Sequence, residues 1–308
     1  MTSFYLYAME IIVIILFVMC LRHAWRSGPE DTLRLVVGVL FGVLLELATI
    51  RQLHAYSYGN FLIMLSDVPL AIGIGWGVII YSAKLFSDAT NLPETLQPML
   101  DGLLALNIDL AMDAIAIRLG MWDWGQGLQF QYFGVPYANF WAWFWVVVIF
   151  SAGMRLLTTQ ARGFWRWLAP FGALFIGLAG ILGTNAFIVY IVPKKYYELT
   201  IGFPLFSTLL LVLLQKPKRI GQPPALPAFW VPLGFHAYFL AAGLFSGVIL
   251  DPPILLIVSV GMFTISLYLH RSTCKEIMRT VTLASFRLGK RLKALRKKRV
   301  FRSENQKK

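Results

Sequence analysis

The chain has 308 residues, of which 58% are hydrophobic and only 14% are charged, and its mean hydropathy is +0.67. Soluble proteins contain about 45–50% apolar and about 25% charged residues, so this composition excludes an ordinary soluble enzyme and a disordered chain. Two cysteines far apart in the sequence, Cys20 and Cys274, exclude a disulfide framework and a cysteine metal cluster.

Nine stretches are apolar enough to cross the hydrocarbon core of a bilayer, which takes about 20 residues in a helix. They lie near 3–21, 34–53, 67–86, 99–119, 139–157, 168–192, 199–214, 229–249 and 253–270. Because lipid offers no hydrogen-bond partners to the backbone, each is expected to be a helix. The sequence therefore predicts an all-α polytopic integral membrane protein, a bundle of about nine transmembrane helices with seven as the lower limit. Small residues such as Gly38 and Gly42 suit close packing between these helices.

The positive charges predict how the bundle is oriented. Counted on alternate sides of nine spans, the Lys and Arg residues divide 24 to 4. Since cytoplasmic loops carry the excess of these residues, the N-terminus is predicted outside and the C-terminus in the cytoplasm. The predicted bundle occupies residues 1–270.

Residues 271–308 form a basic tail, which holds 14 of the 28 Lys and Arg residues. Apolar residues recur in it at intervals of three and four, at Ile277, Val281, Ala284, Leu288, Leu292 and Leu295. This pattern is typical of an amphipathic helix on a cytoplasmic membrane surface, so anionic lipid is its predicted partner. Too few aromatic residues accompany the charges for a nucleic-acid site.

Acidic residues lie within the predicted spans, where each costs roughly 2.5–3.5 kcal/mol to insert, and such residues are candidates for function. Glu46, Asp109 and Asp113 lie in the second and fourth spans, and Asp123 lies just beyond the fourth. Asp109 and Asp113 are four residues apart and share one helix face. Two carboxyl groups in apolar surroundings do not both ionise easily, so one is expected to be a protonated acid. In the alternative interpretation, the two aspartates join helices by pairing with Arg51, Arg118 or Asn107.

The segment after the fourth span places five of the ten tryptophans between residues 122 and 145, and Gly, Pro and Asn alternate with the rings. An interfacial aromatic belt explains the positions of Trp141 and Trp145. The turn-forming residues indicate in addition a loop with a defined backbone conformation. We predict an outer pocket with aromatic walls beside the buried acids, suited to a long apolar substrate whose end is protonated. The sequence has no Walker A loop, no dinucleotide fingerprint and no HExxH spacing, so no metal site is predicted.

Several ordered motifs resemble one family. They are Ile108-Asp109-Leu110-Ala111-Met112-Asp113, Trp122-x-Trp124-x-x-Gly127, Tyr132-Phe133-Gly134-Val135-Pro136 and Asn139-Phe140-x-x-Trp143, with Glu46, Tyr56-x-Tyr58-Gly59 and Val68-Pro69-Leu70 before Trp76. Across about residues 40–145, the chain is similar to the membrane carotenoid biosynthesis proteins of the CruF type.

This resemblance implies hydration of the terminal double bond of an acyclic carotenoid end group. Asp113 or Asp109 would donate the proton, and Glu46 or Asp123 would orient the water. The predicted substrate-binding residues are Tyr58, Trp76, Trp122, Trp124, Tyr132, Phe133, Asn139 and Trp143. No cofactor is required, and the expected partners are a polyene carotenoid and other enzymes of carotenoid biosynthesis. The implied location is the plasma membrane of a prokaryote.

Two other classes of function stay open. Asn107-x-Asp109-x-x-x-Asp113 partly matches the first magnesium and diphosphate motif of UbiA-type prenyltransferases, although no second Asp-rich motif follows in the later spans. The other class is a carotenoid- or lipid-binding protein without catalysis, in which the acids only pack helices together.

Overall fold

The computed structural model describes residues 2–125, 131–221 and 225–279. The chain forms two compact units, Met1–Ser266 and Leu267–Lys308. In the second unit, the described residues 271–279 are helical, and the predicted amphipathic tail from residue 280 onward lies outside the described residues.

Each of the nine predicted spans overlaps a long helix, which confirms the predicted fold class. The helices are α1 (Thr2–Ser27), α2 (Pro29–Leu53), α3 (Leu70–Ser87), α4 (Gln97–Arg118), α5 (Tyr137–Gln160), α6 (Trp165–Ala186), α7 (Tyr197–Leu214), α8 (Leu226–Ser246) and α9 (Ile254–Leu269). A π-helical turn, Phe187–Ile191, continues α6, and short 3-10 turns lie at Lys194–Tyr196 and Val248–Leu250.

In the described part of the chain, seven helices are long and apolar enough to cross a membrane, and α9 with the helix at 271–279 gives an eighth candidate. Helix α4 is not among them, because it carries Asp101, Asp109 and Asp113 within 22 residues. Most of α4 is nevertheless buried by its neighbours, which shelter these acids from lipid. The protein is thus an integral membrane protein, and its orientation stays a prediction.

Helices α2 and α3 approach each other closely through glycines, as the sequence predicts for Gly38 and Gly42. A Cβ atom added at Gly42 would lie 2.5 Å from Cβ of Trp76 and 2.9 Å from the carbonyl oxygen of Gly73. At Gly38 the nearest atom would be Cα of Gly77, at 3.5 Å. Contact at Gly42 is therefore backbone to backbone, whereas Gly38 has ordinary van der Waals space.

Two pairs of short antiparallel strands shape the connections between helices. β1 (Ser57–Tyr58) pairs with β4 (Trp122–Asp123), so that Tyr58 lies opposite Trp122. β2 (Met64–Leu65) pairs with β3 (Val68–Pro69) just before α3. The first pair joins the α2–α3 connection to the segment that follows α4.

An ion-pair network joins α3, α4 and α5 away from these strands. The guanidinium of Arg155 lies 3.1 Å from Oδ2 of Asp101 and also contacts Asp88 and Gln97. Ser151 donates a hydrogen bond of 2.5 Å to the same oxygen of Asp101. Because Asp101 is fully buried, Arg155 is the counter-charge that makes its burial tolerable.

Candidate active site

A cavity of about 260 Å³ lies mainly among α2 to α6. The segments around β1 and β4 contribute to its wall, as do Met9 of α1, Tyr197 of α7 and Phe235 of α8. Its lining is mainly apolar and aromatic, with two carboxyl groups, those of Glu46 and Asp113. Eight of the predicted site residues line it: Glu46, Tyr58, Trp76, Asp113, Trp122, Trp124, Asn139 and Trp143. The described lining contains no Lys or Arg side chain.

Glu46 is held in this cavity by three hydrogen-bond donors. The hydroxyl of Tyr56 donates to Oε2 at 2.5 Å, and Nε1 of Trp76 donates to Oε1 at 2.6 Å. The hydroxyl of Tyr58 is a third partner of this carboxyl group. Burial, together with the negative charge of Glu46, holds the pKa of Tyr56 and of Tyr58 well above the usual value for tyrosine. Both hydroxyls therefore keep the protons that they donate.

Asp113 and Asp109 meet at the side-chain amide of Asn139, as expected from their spacing on α4. Nδ2 of Asn139 lies 2.6 Å from Oδ2 of Asp113 and 3.2 Å from Oδ2 of Asp109. Nε1 of Trp122 donates to the other oxygen of Asp113 at 2.5 Å. Asp113 lines the cavity, whereas the fully buried Asp109 lies behind it.

The alternative interpretation, in which the two aspartates only join helices, expects them to pair with residues such as Arg118 or Asn107. In the structure, both of these residues have other partners. Arg118 donates to the carbonyl oxygens of Ala114 and Phe133. Asn107 bonds the ring of His236 at 2.9 Å and the backbone oxygen of Met262. Arg118 and Asn107 thus bind partners other than the two aspartates.

Aromatic rings surround the two carboxyl groups. The rings of Trp76 and Trp143 have centroids 4.3 Å apart, and those of Tyr56 and Trp124 are 4.7 Å apart. Tyr58 packs edge to face on Trp122, at 6.1 Å. Electron-rich faces beside a desolvated space attract a cation, so this arrangement favours a substrate that becomes positively charged.

Besides Asp109, three predicted site residues lie outside the cavity lining. Asp123 is exposed and accepts a hydrogen bond of 2.7 Å from the backbone of Gly125. The hydroxyl of Tyr132 donates to the backbone oxygen of Leu110, and Phe133 packs against the ring of Tyr132. With Asp109, four of the twelve predicted residues therefore do not line the cavity. Tyr56, which the sequence analysis placed in a motif but not among the site residues, is a direct partner of Glu46.

These features define a class: a helical membrane protein that holds buried carboxyl groups against an apolar cavity with aromatic walls. Residues 6–191 match the model of a family described as carotenoid biosynthesis protein. Since this match spans more than half of the chain, the protein belongs to that family and acts in carotenoid biosynthesis. The match contains every residue named above as lining the cavity. Comparisons with curated proteins and with solved structures give no match.

Proposed function

We propose that the protein catalyses the hydration of the terminal double bond in an acyclic end group of a carotenoid. The observation that carries the proposal is the placement of two buried carboxyl groups, Asp113 and Glu46, on one apolar cavity with aromatic walls. Acid-catalysed addition of water to a trisubstituted alkene requires a proton donor, stabilisation of a tertiary cation and a base for the attacking water. The cavity offers a group for each.

Asp113 is the proton donor in this proposal, because it lines the cavity and Asp109 does not. Two neighbouring carboxyl groups in apolar surroundings share a proton more readily than both ionise. Asn139 and Trp122 fix the orientation of Asp113 through both of its oxygens. Transfer of the proton to the less substituted alkene carbon converts the π bond into a C–H bond and leaves a tertiary carbocation at the terminal carbon, which carries two methyl groups.

Glu46 is the carboxylate that faces this cation. An ionised carboxylate only accepts hydrogen bonds, and Glu46 has three donors in Tyr56, Tyr58 and Trp76. Its negative charge attracts the cation, and it takes a proton from the water whose oxygen forms the new C–O bond. Return of that proton to Asp113 restores both groups, so the net change is the addition of one water molecule.

The size of the cavity supports binding of one end of a polyene. Pockets for small ligands measure about 300–1,000 Å³, and about 260 Å³ suits an end group rather than a whole carotenoid. The rest of the chain would lie in the lipid around the bundle. We place the protein in the plasma membrane of a prokaryote, with a polyene carotenoid as its substrate.

The other two classes of function have less support from the site. A diphosphate substrate calls for cationic partners or bound magnesium, yet the described lining has no Lys or Arg. Among the described residues, no three His, Cys, Asp or Glu side chains converge as metal ligands do. A binding protein without catalysis would not need carboxyl groups that open on the cavity.

Expression of the full chain in a bacterium engineered to make lycopene tests the proposal. We expect a more polar pigment, heavier by one water, which chromatography and mass spectrometry would detect. Asp113→Asn should abolish it, because the amide cannot donate the required proton. Asp123→Asn is the matched control and should keep full activity, since Asp123 is exposed and outside the cavity. Unchanged pigments from the folded, membrane-inserted protein would contradict hydration, and isoprenoid diphosphates with magnesium would then be tried.

A further inference from the structure

Three polar side chains line the cavity without a hydrogen-bond partner among the described residues. They are the hydroxyl of Thr49, the indole N–H of Trp124 and the amide nitrogen of Asn185. Thr49 and Asn185 are more than nine-tenths buried. Buried polar groups in folded proteins nearly always have a partner, so three such groups on one cavity indicate a polar ligand.

Their positions place this polar region beside Glu46. Thr49 follows Glu46 by three residues on α2, so the two side chains share one helix face. The ring of Trp124 packs at a tilt against Tyr56, whose hydroxyl donates to Glu46. Asn185 lies near the end of α6, which is tied to α2 by the hydrogen bond of 2.9 Å from Gln52 to the backbone oxygen of Leu182.

The donor set specifies the chemistry of the ligand. The amide nitrogen of Asn185 and the indole of Trp124 only donate hydrogen bonds, and a hydroxyl such as that of Thr49 donates or accepts. An oxygen that also carries hydrogen satisfies all three, because its two lone pairs accept from the indole and the amide and one of its O–H groups donates to the hydroxyl of Thr49. Water is the smallest such ligand, and it needs two to four polar partners to occupy a buried site.

We propose that Thr49, Trp124 and Asn185 bind the water molecule that attacks the cation. This inference rests on the proposed hydration and assigns its second reactant a site. The oxygen gives up the hydrogen bond from one donor, the lone pair that this frees forms the C–O bond with the tertiary carbon, and the released proton goes to Glu46. A cation that finds no water in this site loses a proton from a neighbouring carbon instead, which regenerates an alkene.

The test separates capture of water from protonation of the alkene. Membranes containing the full chain are incubated with lycopene in D2O, and mass spectrometry measures both the hydrated product and deuterium in the recovered polyene. Thr49→Val and Asn185→Leu remove the polar group at nearly constant volume. We expect the ratio of hydrated product to deuterated alkene to fall about tenfold in each, the effect of one lost hydrogen bond.

Two variants serve as controls. Thr49→Ser keeps the hydroxyl and should keep a ratio close to that of the unaltered protein. Thr208→Val removes a hydroxyl that is buried on α7 but does not line the cavity, so it should leave the ratio unchanged.

Other outcomes would overturn the assignment. If Thr49→Val and Asn185→Leu lose hydration and deuterium uptake in parallel, the two residues only support the structure. If they change only the substrate concentration needed for half-maximal rate and leave the ratio unchanged, the two residues act on binding of the polyene and do not hold the attacking water. An unaltered protein that neither hydrates lycopene nor introduces deuterium would overturn the hydration as well, whereas the first two results overturn the water site alone.

Discussion

Replacing Gly42 with alanine tests whether the contact between α2 and α3 supports the site as well as the fold. The added Cβ would lie 2.5 Å from Cβ of Trp76 and 2.9 Å from the carbonyl oxygen of Gly73. Carbon atoms in contact normally stand about 3.5–4.0 Å apart, so the helices must separate by roughly 1 Å. Neither neighbouring atom belongs to the flexible end of a side chain, and rotamer changes therefore do not relieve the clash.

The magnitude follows from two opposing effects. Overpacking of this kind costs about 1–3 kcal/mol, while alanine gains up to about 1 kcal/mol over glycine inside a helix. We expect Gly42→Ala to lower the free energy of unfolding by up to about 2 kcal/mol. Gly38→Ala is the matched control: its Cβ would be 3.5 Å from the nearest atom, so it should leave stability unchanged or raise it by up to about 1 kcal/mol.

A second readout connects the contact to the site. Displacement of Trp76 would weaken its hydrogen bond of 2.6 Å to Glu46, and we expect hydration activity to fall about tenfold, as for one lost hydrogen bond. Thermal unfolding of the detergent-purified protein and measurement of the hydrated pigment give the two values. Equal stabilities for Gly42→Ala and Gly38→Ala, or full activity in both, would refute the reasoning.

Three further predictions concern hydrogen bonds and charges described above. Trp122→Phe removes the donor to Asp113 but keeps most of the ring, so hydration should slow about tenfold with little change in thermal unfolding; an unchanged rate would show that this hydrogen bond is dispensable. Tyr56→Phe deletes one of three donors to Glu46, and its rate should drop by a similar factor; a larger loss in Asp123→Asn than in this variant would contradict the site. Arg155→Met leaves Asp101 buried without its counter-charge, so we expect the free energy of unfolding to fall by about 3–5 kcal/mol. An Arg155→Lys variant keeps the positive charge, and a melting temperature between those of the unaltered protein and Arg155→Met would support the loss of the ion pair as the cause.

Much of the fold could be predicted because lipid imposes simple rules on sequence. Apolar stretches of about 20 residues must be helices in a bilayer, and each predicted span coincides with a helix. Helix α4 is the exception to this rule of apolar composition. Its acids make it less apolar than its neighbours, and the neighbouring helices cover most of its surface. Hydropathy measures composition and does not report which helices shield another from lipid.

The site could be predicted in part, for reasons of spacing. Asp109 and Asp113 share a face of α4 because an α-helix repeats every 3.6 residues, and both bind Asn139. Asp123 lies at the surface because neighbouring residues on a strand point to opposite sides, so that Trp122 faces inward and Asp123 outward. The sequence predictions contained no strand at this place, and this alternation was therefore not visible.

Asn185 and Thr49 illustrate what sequence reasoning misses entirely. Each is an uncharged polar residue, and neither lies in one of the motifs quoted from the sequence. Their relevance comes from tertiary contact, since α2 and α6 bring both to one cavity although 136 positions in the chain separate them (185 minus 49).

The pairing of β1 with β4 fixes the positions of two hydrogen-bond donors of the site relative to each other. Tyr58, a partner of Glu46, lies opposite Trp122, the donor to Asp113. A slip of one residue between these strands would turn either Tyr58 or Trp122 to the other face. One of the two carboxyl groups would then lose a donor, so the proposed activity depends on this register. We therefore expect substitutions that change substrate preference to be tolerated better in the cavity walls on α5 and α6 than in the β1–β4 strand pair.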